Sequence, residues 1–523
     1  MRFSTLLSVL IGLVMLACSG GAPVQDDLTI GSGKENNSDS FTSPPKSRPV
    51  TKPTATPAAN TVTKPTATPA ANTVTKPTAT PAANTVTKPT AIPTPLPVSD
   101  PTVSSTTALV PEPTSAPTTI PVVEPTSVSD ALPKYSFITG SISLKLMNDS
   151  TGKSTNFGTS VAIDKDKIIV GDPKDYSEGS DSGSAVIYKL ADDTWVEQAQ
   201  ISADDIYQGY EFGGAVDIDG DTAVIGAIGG AKGAAYVFEL EDGIWTQQAK
   251  LIDLPTDSSA QFGNSVAISG DTLVVGAPVD DEPETDSGSV FVYTRSDGVW
   301  TKQTQLTPSG RIYTLASNRF GESVSINDDK IYVGASGDWT TNGTDSGAVY
   351  VFGLSGSTWT EEQRLNASDG SEGDKFGKAL SVFNGTLVIG APYHDGNGTD
   401  SGAAYVFVRD TDDEWYEETK LVASDGVSSD NFGWSVGAGE DLAIVGALYS
   451  DAPSSDSGSV YTYDRTGTDW IERSKLTGTE SASGDKLGTS VSVSGGLAAA
   501  GAPGYTVDSK ETGAIHVFTA EQR

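Results

Sequence analysis

Cysteine and histidine are almost missing from this chain. Cys18 is the only cysteine, and His394 and His516 are the only histidines. One thiol excludes a disulfide scaffold and a Cys-rich zinc site, and two histidines argue against a multi-histidine metal centre. Basic residues are also scarce, with 33 Lys and Arg against 68 Asp and Glu and a formal net charge of -35. A surface of that sign repels phosphate, so nucleic acid is not expected as a partner. No stretch keeps a helical apolar period, and the longest apolar run, Leu6 to Leu16, is too short to span a bilayer.

What is present is divided unevenly. Of 29 prolines, 21 lie between Pro23 and Pro133. Residues 19–134 hold eight basic and eight acidic side chains, whereas 135–523 hold 24 basic and 60 acidic ones, a net of -36. A neutral Pro-rich segment thus precedes one acidic folded unit.

The N-terminus reads as an export signal over residues 1–17: Arg2, an apolar run, then small residues. Met15-Leu16-Ala17-Cys18-Ser19 resembles the lipobox of bacterial lipoproteins, with Met15 where Leu is more usual. That resemblance implies acylation of Cys18 and a lipid anchor on the outer face of a bacterial membrane, at the cell surface. Residues 18–134 follow as a Pro/Thr/Ala-rich tether. A twelve-residue unit starting Thr51-Lys52-Pro53-Thr54 recurs from Thr63 and Thr75. Frequent proline removes backbone donors and fixes φ, and little apolar material is available for burial, so disorder or extension is expected. Fully extended, such a chain reaches on the order of 360 Å.

Residues 135–523 are internally repetitive. Phe-Gly pairs recur at Phe157-Gly158, Phe212-Gly213, Phe262-Gly263, Phe320-Gly321, Phe376-Gly377 and Phe432-Gly433, and the seventh copy reads Leu487-Gly488. Fourteen residues after each first member stands another glycine: Gly171, Gly226, Gly276, Gly334, Gly390, Gly446 and Gly501. Around these marks each unit reads as four short strands, rich in Val, Ile, Tyr, Phe and Thr and separated by Gly and Asp. A Trp stands six residues before an aliphatic residue in the fourth strand of six units, as in Trp300 to Leu306. The seventh unit lacks that strand. Ser141 to Leu146 stands the same distance before Phe157 as Leu365 does before Phe376, so it can supply it. The fold expected is all-β: one seven-bladed propeller of four-stranded blades, its ring closed by the N-terminal strand.

The unit resembles the FG-GAP repeat of the integrin alpha-chain propeller, and more closely its short-loop bacterial relatives. The resemblance covers residues 141–523. It implies extracellular protein or matrix ligands, with a carbohydrate or cell-wall ligand as the alternative. Family members often carry a calcium loop, Asp-x-Asp-x-Asp-Gly, between first and second strands. Those hairpins are too short here, and Asp217-Ile218-Asp219-Gly220-Asp221 lacks the downstream ligands.

Ligand binding is expected on the face formed by second-to-third and fourth-to-first loops, which vary in length and sequence. Val279 to Ser287, Ser336 to Ser346, Pro392 to Ser401 and Thr307 to Arg319 belong to it. Candidate calcium side chains there are Asp280, Asp281, Glu282 and Asp286, and Asp395, Asn397 and Asp400; their alternative role is as turn residues and solvated charge. No other cofactor is expected.

Catalysis is not expected. Gly433-Trp434-Ser435-Val436-Gly437 matches a nucleophile-elbow spacing, with His516 downstream, but the same frame recurs as Gly263-Asn264-Ser265-Val266 and Gly321-Glu322-Ser323-Val324. The serine is therefore a repeat residue inside a strand. The recurrent Trp side chains are expected to pack blades rather than to stack on sugars. A monomer is expected.

Overall fold

The computed structural model describes residues 135–137, 143–148, 155–230, 232–252, 260–281, 285–309, 317–327, 329–451, 453–478 and 480–522. The signal, Cys18 and the tether lie outside them. The described residues form seven four-stranded antiparallel sheets. Blade 1 comprises Ser160–Asp164, Lys167–Asp172, Ser184–Ala191 and Thr194–Ile201, and five blades of the same plan follow, ending with blade 6 at Asp469–Leu476. Blade 7 takes Val491–Ser494, Leu497–Ala502 and Ala514–Thr519 from the C-terminal end, and its outer strand is Ser143–Leu146. Leu144 pairs with Val517 and Lys145 with His516, so the displaced strand completes the last blade. A second tie was not legible in the sequence: Tyr135–Ser136 pairs with Glu521–Gln522.

Hairpin chemistry sets the blade shape. Asp192-Asp193, Asp242-Gly243, Asp297-Gly298 and Asn384-Gly385 have positive φ at both turn positions. That is the tight type I′ turn, whose twist matches paired strands. The third-to-fourth strand pairing of blades 1 to 6 also carries a bulge, as between Val292 and Tyr293, which increases the twist.

The core lies between blades rather than at one centre. One apolar cluster joins Ile169 and Ile187 of blade 1 to Phe212, Ile225 and Tyr236 of blade 2, and the pattern repeats around the ring. Ile515 and Val517 of blade 7 pack with Phe157 and Val161 of blade 1 in the same way. The Phe of each Phe-Gly pair is fully buried and meets a third-strand aromatic of its own blade, as Phe320 meets Phe352 at 6.0 Å.

The repeated glycines form the joints. The Phe-Gly glycine has φ between 86° and 94° in all seven copies. In that conformation its carbonyl oxygen faces the second-strand glycine of the preceding blade. A Cβ on Gly171 would lie 1.9 Å from the Gly213 oxygen, and one on Gly446 would lie 2.2 Å from the Gly488 oxygen. A Cβ on Gly501 would lie 1.9 Å from the Gly158 oxygen, so the joint between blades 7 and 1 is built like the rest. A side chain cannot be inserted at such a contact without parting two backbones.

Hydrogen bonds reinforce the joints. Ser160, Ser265, Ser323, Ser435 and Ser490 donate their hydroxyls to the same glycine carbonyl of the next blade at 2.7–2.8 Å. At the loop end, Asp-Ser-Gly sequences act as clasps. Ser401 O accepts Phe432 N–H at 3.0 Å and Asp400 O accepts Asn431 N–H at 3.2 Å; Ser182, Ser346 and Ser457 repeat the first of these bonds. Around the axis, first strands are tied one to the next. The Asp217 carboxylate accepts Ile268 N–H at 2.9 Å, Ser381 accepts Ala438 N–H at 3.1 Å and Ser492 accepts Ile163 N–H at 3.2 Å. Protein surrounds Asp217 although water still reaches it, and this desolvation pushes its carboxyl up to about 7.

One joint is irregular. The second strand ends on Ala in blades 2 to 7 but on Asp172 in blade 1. Asp172 is fully buried; one carboxylate oxygen accepts Asn156 N–H at 2.9 Å and the other has no partner. Burial pushes this carboxyl up to about 7, against the Asn156 bond.

Two outcomes follow. Gly446→Ala is expected to destabilise the fold by at least about 1–3 kcal/mol in a urea titration, because the new methyl meets a backbone oxygen. Gly439→Ala, whose Cβ would find only side-chain atoms at 3.5 Å or more, should stay within about 0.5 kcal/mol of the parent; equal effects would contradict the joint. For Asp172, the folded value lies above the unfolded one, so its contribution is fully present below pH of about 4 and lost as pH rises through about 7. Asp172→Asn should therefore match the parent near pH 3.5 and gain on the order of 2–4 kcal/mol over it by pH 8. A stability difference that does not change with pH would refute this.

Candidate binding face

Because strands alternate up and down, all short hairpins lie on one face of the disc and all longer connections on the other. The second-to-third connections contain eleven or twelve residues in six blades (173–183, 278–288, 336–347, 392–402, 448–458 and 503–513) but only six, 228–233, in blade 2. These loops are held from within. The glycine that enters the third strand donates its N–H back across the loop, as Gly402 does to His394 O at 2.8 Å and Gly288 to Asp280 O at 3.0 Å.

The candidate calcium side chains mostly serve this internal scaffold. Asp281 accepts Asp286 N–H at 3.0 Å, and Asp395 accepts Asp400 N–H at 2.9 Å; Asp451 and Asp456 repeat the pair, also at 3.0 Å. Asp286 and Asp400 have φ of 51° and 54°, so each occupies a left-handed position that Asp tolerates. Asn397 donates its side-chain amide to Ala423 O at 3.1 Å, tying the loop to the next connection. Asp280 is buried, with Gln305 reaching its carboxylate. Glu282 lies outside the described residues. Among the described residues, no three His, Cys, Asp or Glu side chains converge closely enough to hold a metal ion. Asp217 and Asp219 are engaged across a joint: Asp219 accepts Gly270 N–H at 2.6 Å and Gly220 N–H is accepted by Asp164 at 2.9 Å.

A repeated polar unit on this face escaped sequence reasoning. An acidic side chain four residues past the fourth-strand aliphatic reaches the next blade, where it meets a Tyr of the third strand and a Lys of the fourth. Asp205 accepts from Tyr236 and pairs with Lys250; Asp369 does so with Tyr405 and Lys420, and Asp425 with Tyr461 and Lys475. Asp369 is partly buried, yet the Lys420 and Tyr405 bonds hold its carboxyl down at about 2. In blades 1 and 3 the tyrosine gives way to Val186 and Phe291, and the lysine to Gln200 and Gln305. In blade 4, Tyr350 and Arg364 share Asp338 of their own blade instead, and in blade 7 Lys145 pairs with Glu480. Their separation in sequence, across two repeats, hides them from any local motif.

The remaining candidates occupy structural positions. Ser435 lies mid-strand in Phe432–Gly439, with its hydroxyl in the joint. His516 is buried and stacked on Phe518, and burial lowers its imidazole to about 4, so it is neutral at pH 7. His394 lies 3.6 Å from Asp369 and 3.5 Å from Lys420. Trp245 donates its ring N–H to Gln198 of blade 1 at 3.1 Å, Trp359 to Gln303 at 3.0 Å and Trp470 to Glu418 at 2.8 Å. With the Trp245 and Trp359 rings buried and that of Trp470 partly so, these tryptophans fasten the outer edges of neighbouring blades, as expected from their place in the repeat.

The FG-GAP repeat family matches the chain seven times, over residues 144–188, 195–238, 245–293, 300–352, 359–407, 415–463 and 470–518. No curated protein matches it. Each matched segment runs from the fourth strand of one blade through the third strand of the next, so the repeat in sequence is offset from the blade in space by one strand. With more than half of its length in these seven copies, the chain belongs to the FG-GAP repeat family.

Proposed function

We propose that this protein is a surface-anchored, non-enzymatic binding or adhesion module. Its ligand meets the face built from the second-to-third and fourth-to-first loops. The observation that carries this reading is the contrast between the two faces. One is made of two-residue turns that recur around the ring, with the five-residue 410–414 of blade 5 as the exception, while the other presents longer loops of differing sequence on a repeated frame. The ligand is an extracellular protein, and a carbohydrate or cell-wall polymer is the second reading. The engagement of Ser435 in a joint and the burial of neutral His516 support a non-enzymatic role.

The anchor rests on Cys18 at the end of its apolar run, followed by the Pro-rich tether. Anchored this way, the chain is exported and held on the outer face of a bacterial membrane, with the disc displayed at the cell surface.

Labelled palmitate is expected to enter the full chain and to be absent from Cys18→Ser; label retained in that variant would remove the anchor. For the face, the full chain is applied in parallel to a glycan array and to a panel of extracellular proteins. With the ligand so found, the Glu372→Ala, Val427→Ala double variant on the loop face should bind about tenfold more weakly. The Asp193→Asn variant on the hairpin face should bind as the parent does. The reverse pattern would overturn the assignment.

A further inference from the structure

Seven near-equivalent blades separate what the fold requires from what it does not. Residues demanded by the joints recur; a departure at an exposed position that stabilises nothing points elsewhere. One such departure on the loop face lies between blades 1 and 2.

Two changes coincide there. The second-to-third connection of blade 2 is shortened to 228–233. In the neighbouring fourth-to-first loop, a tyrosine stands where other copies bury an aspartate or a small residue. In three later copies the residue nine past the fourth-strand aliphatic is buried Asp374, Asp430 or Asp485, each accepting a backbone N–H of its own loop at 2.7–2.9 Å, and in two others it is a small buried residue, Thr155 or Ala260. The equivalent residue here is Tyr210. Three residues earlier, the outward position filled by Ser371, Val427 and Ala482 holds Tyr207, which is 65% exposed.

The two rings meet edge to face at 5.9 Å. The shortened loop packs against them through glycine. A Cβ on Gly229 would lie 1.7 Å from Gly209 O, so the backbones touch, and the nearest atoms to a Cβ on Gly230 are those of the Tyr210 ring, at 3.6 Å. A glycine pair thus flanks a tyrosine pair, and most of Tyr207 buries no apolar surface for the fold.

The protein shows what such a ring accepts. Lys475 lies 5.1 Å from the Tyr461 ring centre with Asp425 as its counter-ion, Arg364 lies 5.6 Å from Tyr350 with Asp338, and Lys145 lies 4.3 Å from Tyr505 with Glu480. Beside the tyrosine pair, Asp205 already holds Lys250, which lies 5.8 Å from the Tyr210 ring. Among the described residues no cation lies over Tyr207, and exposed Asp204 precedes it by three residues. Residues 135–523 carry a net charge of -36, so a basic partner is drawn to this surface and an acidic one repelled.

We propose that the Tyr207–Tyr210 notch receives a lysine or arginine side chain from a basic segment of the protein ligand. The cation lies on the Tyr207 ring, and the surrounding carboxylates supply the field. The inference rests on the loop-face reading above and names the partner chemistry for it.

The test uses the full chain and a fluorescein-labelled hexa-arginine peptide at physiological salt, read by polarisation. Tyr207→Ala leaves the net charge unchanged, so diffuse attraction alone predicts no effect. The notch predicts binding about fivefold weaker for Tyr207→Ala, near-parental binding for Tyr207→Phe, and no change for Asp193→Asn on the hairpin face. Equal binding by the parent and Tyr207→Ala would overturn the proposal. So would a neutral cellohexaose probe whose binding is lost in Tyr207→Ala while the peptide's is not, since the notch would then be a sugar platform. If Val427→Ala weakens the ligand found on the panel and Tyr207→Ala does not, the notch fails while the loop-face reading stands.

Discussion

The contact on which the rest of the structure depends is between two glycines of adjacent blades. The carbonyl of the Phe-Gly glycine rests where the second-strand glycine of the preceding blade would otherwise carry a side chain. Two properties are needed together: a positive φ on one partner and a missing Cβ on the other. Once the backbones meet at that distance, the serine hydroxyl, the Asp-Ser-Gly clasp and the Phe wedge all fall within reach of their partners. The same contact occurs seven times, including the joint between Gly501 and Gly158, so no blade is left with an unmatched flank. Apolar burial then accumulates in wedges between blades, each needing both neighbours.

This constraint explains why the fold could be read from the sequence. The glycines thirteen residues apart mark the two ends of each blade's contribution to successive joints, and an offset set by backbone contact cannot drift. The displaced strand was legible for the same reason: Leu146 stands the required distance before Phe157. Features made of backbone carbonyls left fainter marks. Asp400 and Ser401 hold the next blade through their carbonyl groups, while the sequence displays their side chains, which draw attention toward calcium instead. Asp172 reads as a turn residue before Pro173, and only the comparison with six alanines at the same strand end marks it as an exception. The Tyr–Asp–Lys units were hidden because their members come from two repeats joined through a loop.

The acidity of the folded unit acquires a finer description. Several acidic side chains on the loop face are committed: to left-handed turns, to N–H groups of their own loops, or to the lysines of the repeated polar units. Those around the axis accept N–H groups of the next blade. The charge is therefore partly a consequence of how the loops and the inner ring are built. A ligand meets the remainder, together with the few side chains the repeat does not require.

Hydrogen exchange measured by mass spectrometry on the full chain addresses ring closure most directly. If Ser143–Leu146 is the outer strand of blade 7, its amides should be protected to the level of Asp469–Leu476, the outer strand of blade 6. Exchange of residues 143–146 at the rate of an unstructured peptide, with 469–476 still protected, would show an open ring and contradict the account.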